Sequence, residues 1–328
     1  MRRLLALVLL GSMAAACTSP GDGGSGDAGP DEVVLVSYDA FTPAEGAFDE
    51  FTRATGARVR VVTGGDSGTV VSRAILTAGN PEGDVLWGVD DTTLARAERA
   101  RLFDRVEEVD TGDVCVNVDD DWYARRGIIP PRDFDDLFDP AYRGHLVVQN
   151  PVTSAPGTAF LLATIARYGD GWRERWSELV DNDVLVVNDW TAAYTVEFSG
   201  SSGAGPRPLV VSYGSSPPAE VVFATEPVDE PGTSVMEDTC LRITERAGVL
   251  RGTSNPRLAD ALLNHLLSRT FQETMPLSLF VFPIDPSTPL PDVFERFAAR
   301  PAAPLRLDSA VIDANLETWL ADWRDIVL

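Results

Sequence analysis

Between Val33 and Arg101 the chain changes its hydrophobic period again and again, and that alternation constrains its fold more than any other feature. Val33–Tyr38 (VVLVSY) is a short, apolar, β-branched run and reads as a buried strand. Pro43–Thr55 follows as an amphipathic helix with Phe48 and Phe51 on one face, stopped by Gly56. Arg58–Val62 reads as a strand, Thr69–Ala78 as a helix, Asp84–Trp87 as a strand and Asp91–Arg101 as a helix. Strands that alternate with helices in this way pair in parallel, with the helices covering the faces of the sheet. Ligands of such sheets bind beyond the carboxyl ends of the strands. Here those ends are Tyr38-Asp39, Gly64-Gly65-Asp66-Ser67 and Gly88-Val89-Asp90, each with an aspartate, which fits a rim that takes cations.

A second alternating unit lies further along. Asp113–Val118 reads as a strand, with a short helix near Phe134–Leu137, a strand at His145–Val148 and a loop over Gln149–Gly157. Helices are predicted at Thr158–Tyr168 and Gly171–Val180, then strand Val184–Val187, helix Thr191–Phe198, strand Pro208–Ser212 and helix Pro218–Ala224. Ser234–Thr244 reads as a long strand, Asn255–Leu267 and Thr270–Met275 as helices, and 283–308 as Pro-rich and irregular. The last predicted helix, Ser309–Asp325, carries Trp319 and Trp323 at i, i+4. Two α/β units with two long strands between them imply two lobes joined by a two-strand hinge. The expected division is 32–113 with 241–280 for the first lobe and 114–240 with 281–328 for the second.

The N-terminus reads as a secretory leader: Met1-Arg2-Arg3, an apolar run Leu4–Met13, then Ala14-Ala15-Ala16 and Cys17. The run is too short to span a bilayer, which takes about 20 apolar residues. A cysteine just after the small residues has the form of a bacterial lipoprotein signal. That makes Cys17 the expected lipidation site, with 1–17 as the signal segment and 18–31 (TSPGDGGSGDAGPD) as a flexible tether. An ordinary leader with an incidental cysteine is the alternative. The expected location is extracytoplasmic, held to the membrane only through the lipid. The formal charge is −23, from 50 acidic and 27 basic residues, and every basic residue is arginine. Such a chain repels nucleic acid and anionic lipid and tolerates cationic ligands. With Cys17 set aside, Cys115 and Cys240 remain as an even pair in an oxidising compartment, read as a disulfide or as two buried thiols. Only His145 and His265 could join them, and neither lies in a ligand-spaced cluster, so no metal or other cofactor is expected.

Marks of an enzyme are absent from the sequence beyond the 18–31 tether: no Gly-x-Ser-x-Gly, His-Glu-x-x-His, Walker loop or Gly-x-Gly-x-x-Gly occurs there. Gly64–Gly68 is glycine-rich but lacks the lysine and spacing of a phosphate loop. Marks of a binding cleft are more numerous. Thr153-Ser154-Ala155-Pro156-Gly157 opens a helix, with Ser154 as N-cap and Pro156 in the first turn. Free N–H groups at such a start can hold a polar ligand group, although a plain cap explains the same residues. Trp190, in the first turn after a strand, and Tyr213, at a strand's end, can project into a cleft or pack in a core. Phe280 and Phe282 share one side by period two.

Taken in order, Ser37-Tyr38-Asp39-Ala40-Phe41, Gln149-Asn150-Pro151 with Thr153–Gly157, Trp190–Tyr194, Val211-Ser212-Tyr213 with Ser216-Pro217, and Phe280–Pro283 resemble the thiamine-binding periplasmic proteins that serve ABC importers. The resemblance runs from about residue 33 to the C-terminus. It implies a type II periplasmic-binding fold and a monomer that holds thiamine or a phosphate ester between its lobes for an ABC permease. It further implies that Tyr38 and Asp39 line the cleft, and that Asp66 and Ser67 contact the ligand. Ser154 would bind at a helix start near any phosphate, while Trp190 and Tyr213 would stack on or border the rings. Phe280 stands where the family usually has tryptophan, and Ala219 where some relatives have an aromatic residue. The segment Phe103–Asp110, part of one cleft wall in the family, is about 20 residues shorter than the family pattern. The same fold with a polyamine, an iron complex or an oxyanion as cargo is the nearest alternative, although ferric sites usually use adjacent tyrosines and Tyr213 stands alone after Ser212. A secreted hydrolase is a more distant one.

Overall fold

A computed structural model describes residues 31–201 and 203–328. The leader, Cys17 and the tether up to residue 30 lie outside the described residues. Among the described residues, nine strands form one mixed sheet: β1 Glu32–Ser37, β2 Arg58–Thr63, β3 Val85–Val89, β4 Phe103–Asp119, β5 Leu146–Gln149, β6 Leu185–Val187, β7 Leu209–Tyr213, β8 Thr233–Leu250 and β9 Phe282–Pro283. Their order is β2-β1-β3-β8-β4-β7-β5-β6, with β9 against β4. β1 lies parallel to β2 and β3, and β5 lies parallel to β6 and β7, so each parallel group forms one lobe of an α/β fold. Helices cover both faces of the first group, which is why β3 is buried along its whole length and reads as a continuous apolar run.

β4 and β8 join the groups. They pair antiparallel from Phe103↔Leu250 to Asp119↔Thr233. A strand of 17 residues spans about 55 Å at roughly 3.3 Å per residue, more than one lobe needs. Each strand therefore begins in one lobe and ends in the other, and bulges at Glu108/Asp110 and Val114/Val116 flank the crossing. At the second bulge, β4 advances from Val114 to Val116 while β8 runs from Leu241 back to Met236, so three extra residues loop out of β8. Thr239 Oγ1 accepts the Val116 N–H there at 2.8 Å. Cys240, beside it, is bonded to Cys115, with 4.1 Å between their Cα atoms. Of the two readings open from the sequence, the structure has the disulfide.

The core divides at the same crossing. Trp87, Phe51, Phe271 and Leu262 centre one group, drawn from β1, β3, the far end of β8 and helices Asp49–Thr55 and Pro256–Leu266. Phe160, Trp172, Trp176 and Trp323 centre the other. The terminal helix Ser309–Val327 inserts Trp323 edge-on against Trp176, with ring centroids 5.6 Å apart. We propose the lobe boundaries 32–113 with 241–280 and 114–240 with 281–328, noting that Leu241 and Ile243 pack in the second core and Val281 in the first.

Three sequence expectations are corrected. Phe103–Asp110, expected to lie before the hinge strand Asp113–Val118, is the first half of β4, and Glu245–Leu250 extends β8 beyond Thr244. Both stretches are rich in charge, and only their pairing with each other makes them strands. Within 283–308, Asp292–Phe297 forms a helix anchored by the buried Phe294. A further helix, Asp120–Arg126, is capped by the Asp119 carboxylate, which accepts the Trp122 N–H at 2.8 Å.

Candidate functional site

The carboxyl ends of the parallel strands in both lobes face a common cleft of about 880 Å³, within the range of roughly 300–1,000 Å³ usual for small-molecule sites. Tyr38 and Asp39 follow β1, and Asp66 and Ser67 follow β2. Asp189, Trp190 and Tyr194 follow β6, Tyr213 ends β7, and Glu245 lies on β8. Phe280 closes one side from the segment before β9. Of the eight residues expected in the site, seven line this cleft. The eighth, Ser154, is 2 % exposed and lies just behind Thr153 and Pro156, which do line it.

Four carboxylates line the cleft, Asp39, Asp66, Asp189 and Glu245, and no arginine or histidine does so among the described residues. Aromatic faces supply much of the rest. Trp190 stacks on Tyr194 with centroids 4.9 Å apart and planes 13° from parallel. Tyr194 follows Trp190 by four positions and lies in Ala192–Glu197, which forms a π-helical turn rather than the α-helix expected from sequence. Asp189 starts that turn by accepting the Ala192 N–H at 2.8 Å. The Trp190 indole N–H donates to Ser212 Oγ at 3.0 Å, and Ser212 contacts Ser216 Oγ at 3.0 Å, so the ring is held at its edge with one face toward the cleft.

Phe280 has a φ of 53°, a left-handed conformation that costs a non-glycine residue about 1–3 kcal/mol. Its carbonyl accepts from Ser215 Oγ, its N–H donates to Met275 O at 3.1 Å, and its ring meets Phe223 at 5.7 Å. Tyr38 depends on a glycine. A Cβ at Gly88, where φ is +120°, would lie 2.9 Å from Tyr38 Cδ1, so only glycine lets this ring settle against β3.

Two helix starts face the cleft. Asp66 precedes the helix Ser67–Leu76 in the first lobe, and Ser154 precedes Ala155–Tyr168 in the second. Neither side chain caps its own helix, and Asp66 Oδ2 and Ser154 Oγ are both buried without a hydrogen-bond partner. Burial pushes the Asp66 carboxyl up, tempered by the nearby Ser154 hydroxyl and reinforced by Asp189 and Asp39. The two groups lie near each other across the cleft, and neither atom makes a hydrogen bond of full geometry among the described residues.

Below this rim, Tyr38 OH donates to Glu245 Oε2 at 3.2 Å. The Trp87 indole N–H reaches both Asp110 Oδ2, at 3.1 Å, and Glu245 Oε2, at 3.3 Å. Burial, then the Glu245 charge, holds the Tyr38 and Tyr213 hydroxyls well above the usual tyrosine range, so both stay donors. Glu245 escaped the sequence reading because it lies beyond the predicted end of its strand.

Two α/β lobes on a pair of shared strands, with an aromatic and acidic cleft between them, define a periplasmic binding protein of the type II fold. The sequence matches the family model for bacterial extracellular solute-binding proteins over residues 103–302, and the chain belongs to that family. It holds a solute and is not an enzyme. Among curated relatives, the thiamine-binding periplasmic protein of Salmonella typhimurium is 25 % identical over 313 residues, covering 90 % of this chain and 93 % of that one. A solved periplasmic thiamin binding protein superposes with a TM-score of 0.81 at 21 % identity, covering 92 % of this chain and 98 % of that one. The iron-bound HitA of Pseudomonas aeruginosa shares the fold, with a TM-score of 0.71 at 17 % identity over 91 % of this chain and all of its own.

Proposed function

We propose that the protein is the extracytoplasmic receptor of an ABC importer and that its cargo is thiamine or a thiamine phosphate ester. The observation that carries this reading is the lining of the cleft: aromatic faces and four carboxylates, with no basic side chain among the described residues. Thiamine is a permanent cation attached to a flat aminopyrimidine. Aromatic faces hold such a cation at about 0.5–2 kcal/mol per contact. The carboxylates add Coulomb attraction and accept from the exocyclic amine. The curated relatives named for thiamine, matched along nearly their whole length, support the same cargo. Tyr38, Asp39, Asp66, Ser67, Trp190, Tyr213 and Phe280 contact the ligand in this reading, and Ser154 takes part once the lobes close. An iron cargo fits less well: ferric sites usually use adjacent tyrosines, whereas Tyr213 follows Ser212, and among the described residues no group of three or more His, Cys, Asp or Glu is placed to hold a metal. Cys17 anchors the receptor beside its permease by a lipid, and the protein works as a monomer.

The acidic lining favours the unesterified cation. Calorimetric titration of the protein from residue 32 onward with thiamine, its monophosphate and its diphosphate tests this, with spermidine and ferric citrate as competitors. Thiamine is expected to bind tightly and to quench tryptophan fluorescence, with the diphosphate weaker. No heat or quench with any of the three would refute the thiamine reading and leave the solute-binding class intact.

A further inference from the structure

The most unusual feature of the cleft is its floor. Asp110 on β4 and Glu245 on β8 are direct cross-strand partners, so two carboxylates project from the same face of the sheet at the crossing between the lobes. They are 1 % and 6 % exposed, and both accept from the single N–H of Trp87. Asp110 Oδ1 is buried with no partner at all. Neither acid forms an ion pair among the described residues. The adjacent Arg246 is committed to Asp91 and Glu108, and Arg242, further along β8, to Asp113.

The titratable groups around the pair are Tyr38 after β1, Asp90 after β3 and Tyr213 on β7, with Asp66 after β2 facing Tyr213. All are acids or neutral donors. Gln272, packed behind β4, spends its amide on Val109 and Leu266 and its carbonyl on Ile284. Two like charges cannot share a dry site without a cation or a proton between them. Glu245 alone of the two opens on the cleft.

We propose that Asp110 and Glu245 form a proton-exchanging cation subsite: in the empty receptor the two carboxylates share one proton, and a cationic ligand entering the cleft displaces it to solvent. The exchange balances, since one positive charge enters as one leaves, and no bond other than O–H is broken. Burial raises both acids, and Asp110 is pushed up to about 7. The inference rests on the proposed cationic cargo. It makes uptake sensitive to the pH outside the membrane, with stronger capture as the pH rises.

The test is titration with thiamine between pH 6 and pH 8.5, a range in which the probe keeps its charge, in buffers of different ionisation enthalpy. The wild-type affinity is expected to rise about tenfold from pH 6 to pH 8, with about half a proton released per thiamine at pH 7. Glu245→Gln should abolish the release, flatten the profile and weaken binding at pH 8 by at least tenfold. Tight binding with no proton release and a flat wild-type profile would overturn the inference while leaving the thiamine reading standing. Absence of thiamine binding would refute that reading, and the pair is then judged on ligand-free protein. There the wild type should lose stability from pH 5 to pH 8, because a carboxyl with a raised folded value is favoured only while protonated. Asp110→Asn should lose less over the same range, because other buried acids keep their share of the loss. Equal pH dependence of melting in the two proteins would overturn the shared proton whatever the cargo.

Discussion

Replacing Trp190 by alanine tests the aromatic wall directly. One face of the indole is taken by Tyr194, 4.9 Å away and nearly parallel, so only the opposite face remains for a ligand ring. One stacked or cation–π contact contributes about 0.5–2 kcal/mol. The substitution also frees Tyr194 and unpairs Ser212 Oγ from the indole N–H, adding about 0.5–1.5 kcal/mol of lost order. Together the terms predict a rise in Kd of about 5- to 400-fold. Stability should change by much less than for a core tryptophan, since Trp190 is half-exposed whereas Trp176 is fully buried. Trp190→Phe keeps the face and loses only the N–H, so its Kd should rise less than tenfold. Calorimetry with thiamine gives the affinities and thermal melting gives the stability control. Wild-type affinity in Trp190→Ala, with an unchanged melt, would remove this ring from the site and refute the stacking argument.

The disulfide should matter to the fold and not to the ligand. Joining residues 125 positions apart removes chain entropy worth about 4–5 kcal/mol. Reduction, or Cys115→Ala with Cys240→Ala, should therefore lower the urea midpoint clearly while leaving the thiamine Kd within threefold. An unchanged midpoint would contradict that accounting. Gly88→Ala places a Cβ against Tyr38 on a backbone that only glycine adopts comfortably, and should lower both the melting temperature and the affinity. A normal affinity would show that Tyr38 can move without harm. For the N-terminus, Cys17→Ser in the full-length protein should move the receptor from the membrane fraction to the soluble one. Unchanged membrane association would exclude the lipid anchor.

Much of the fold is legible from local pattern. Short apolar runs punctuated by Gly56, Gly64 and Gly65 place β1, β2 and β3 within a residue or two, because buried parallel strands and their helices each leave a periodic trace. The rim residues Tyr38, Asp39, Asp66 and Ser67 follow from those strand ends, and the pairing of Cys115 with Cys240 was one of two readings the sequence left open. Long-range pairing carries no such trace. Phe103–Asp110 and Glu245–Leu250 look like charged surface until each is laid against the other, and their pairing creates the central crossing of the molecule. For the same reason Glu245 and Asp110 were invisible as a site: residues 135 positions apart in sequence become neighbours only through that register. The π-helical turn that carries Tyr194 likewise leaves no periodic trace in the sequence.

By itself, then, the sequence determined the two α/β units, their acidic rims and the aromatic residues near them, because strand and helix periods are local. Tertiary structure decided which of those residues share a cleft, left Asp66 and Ser154 open across it, and buried a carboxylate pair in its floor. Those outcomes depend on the register of β4 against β8, which is set by packing over the whole chain and by no segment of it.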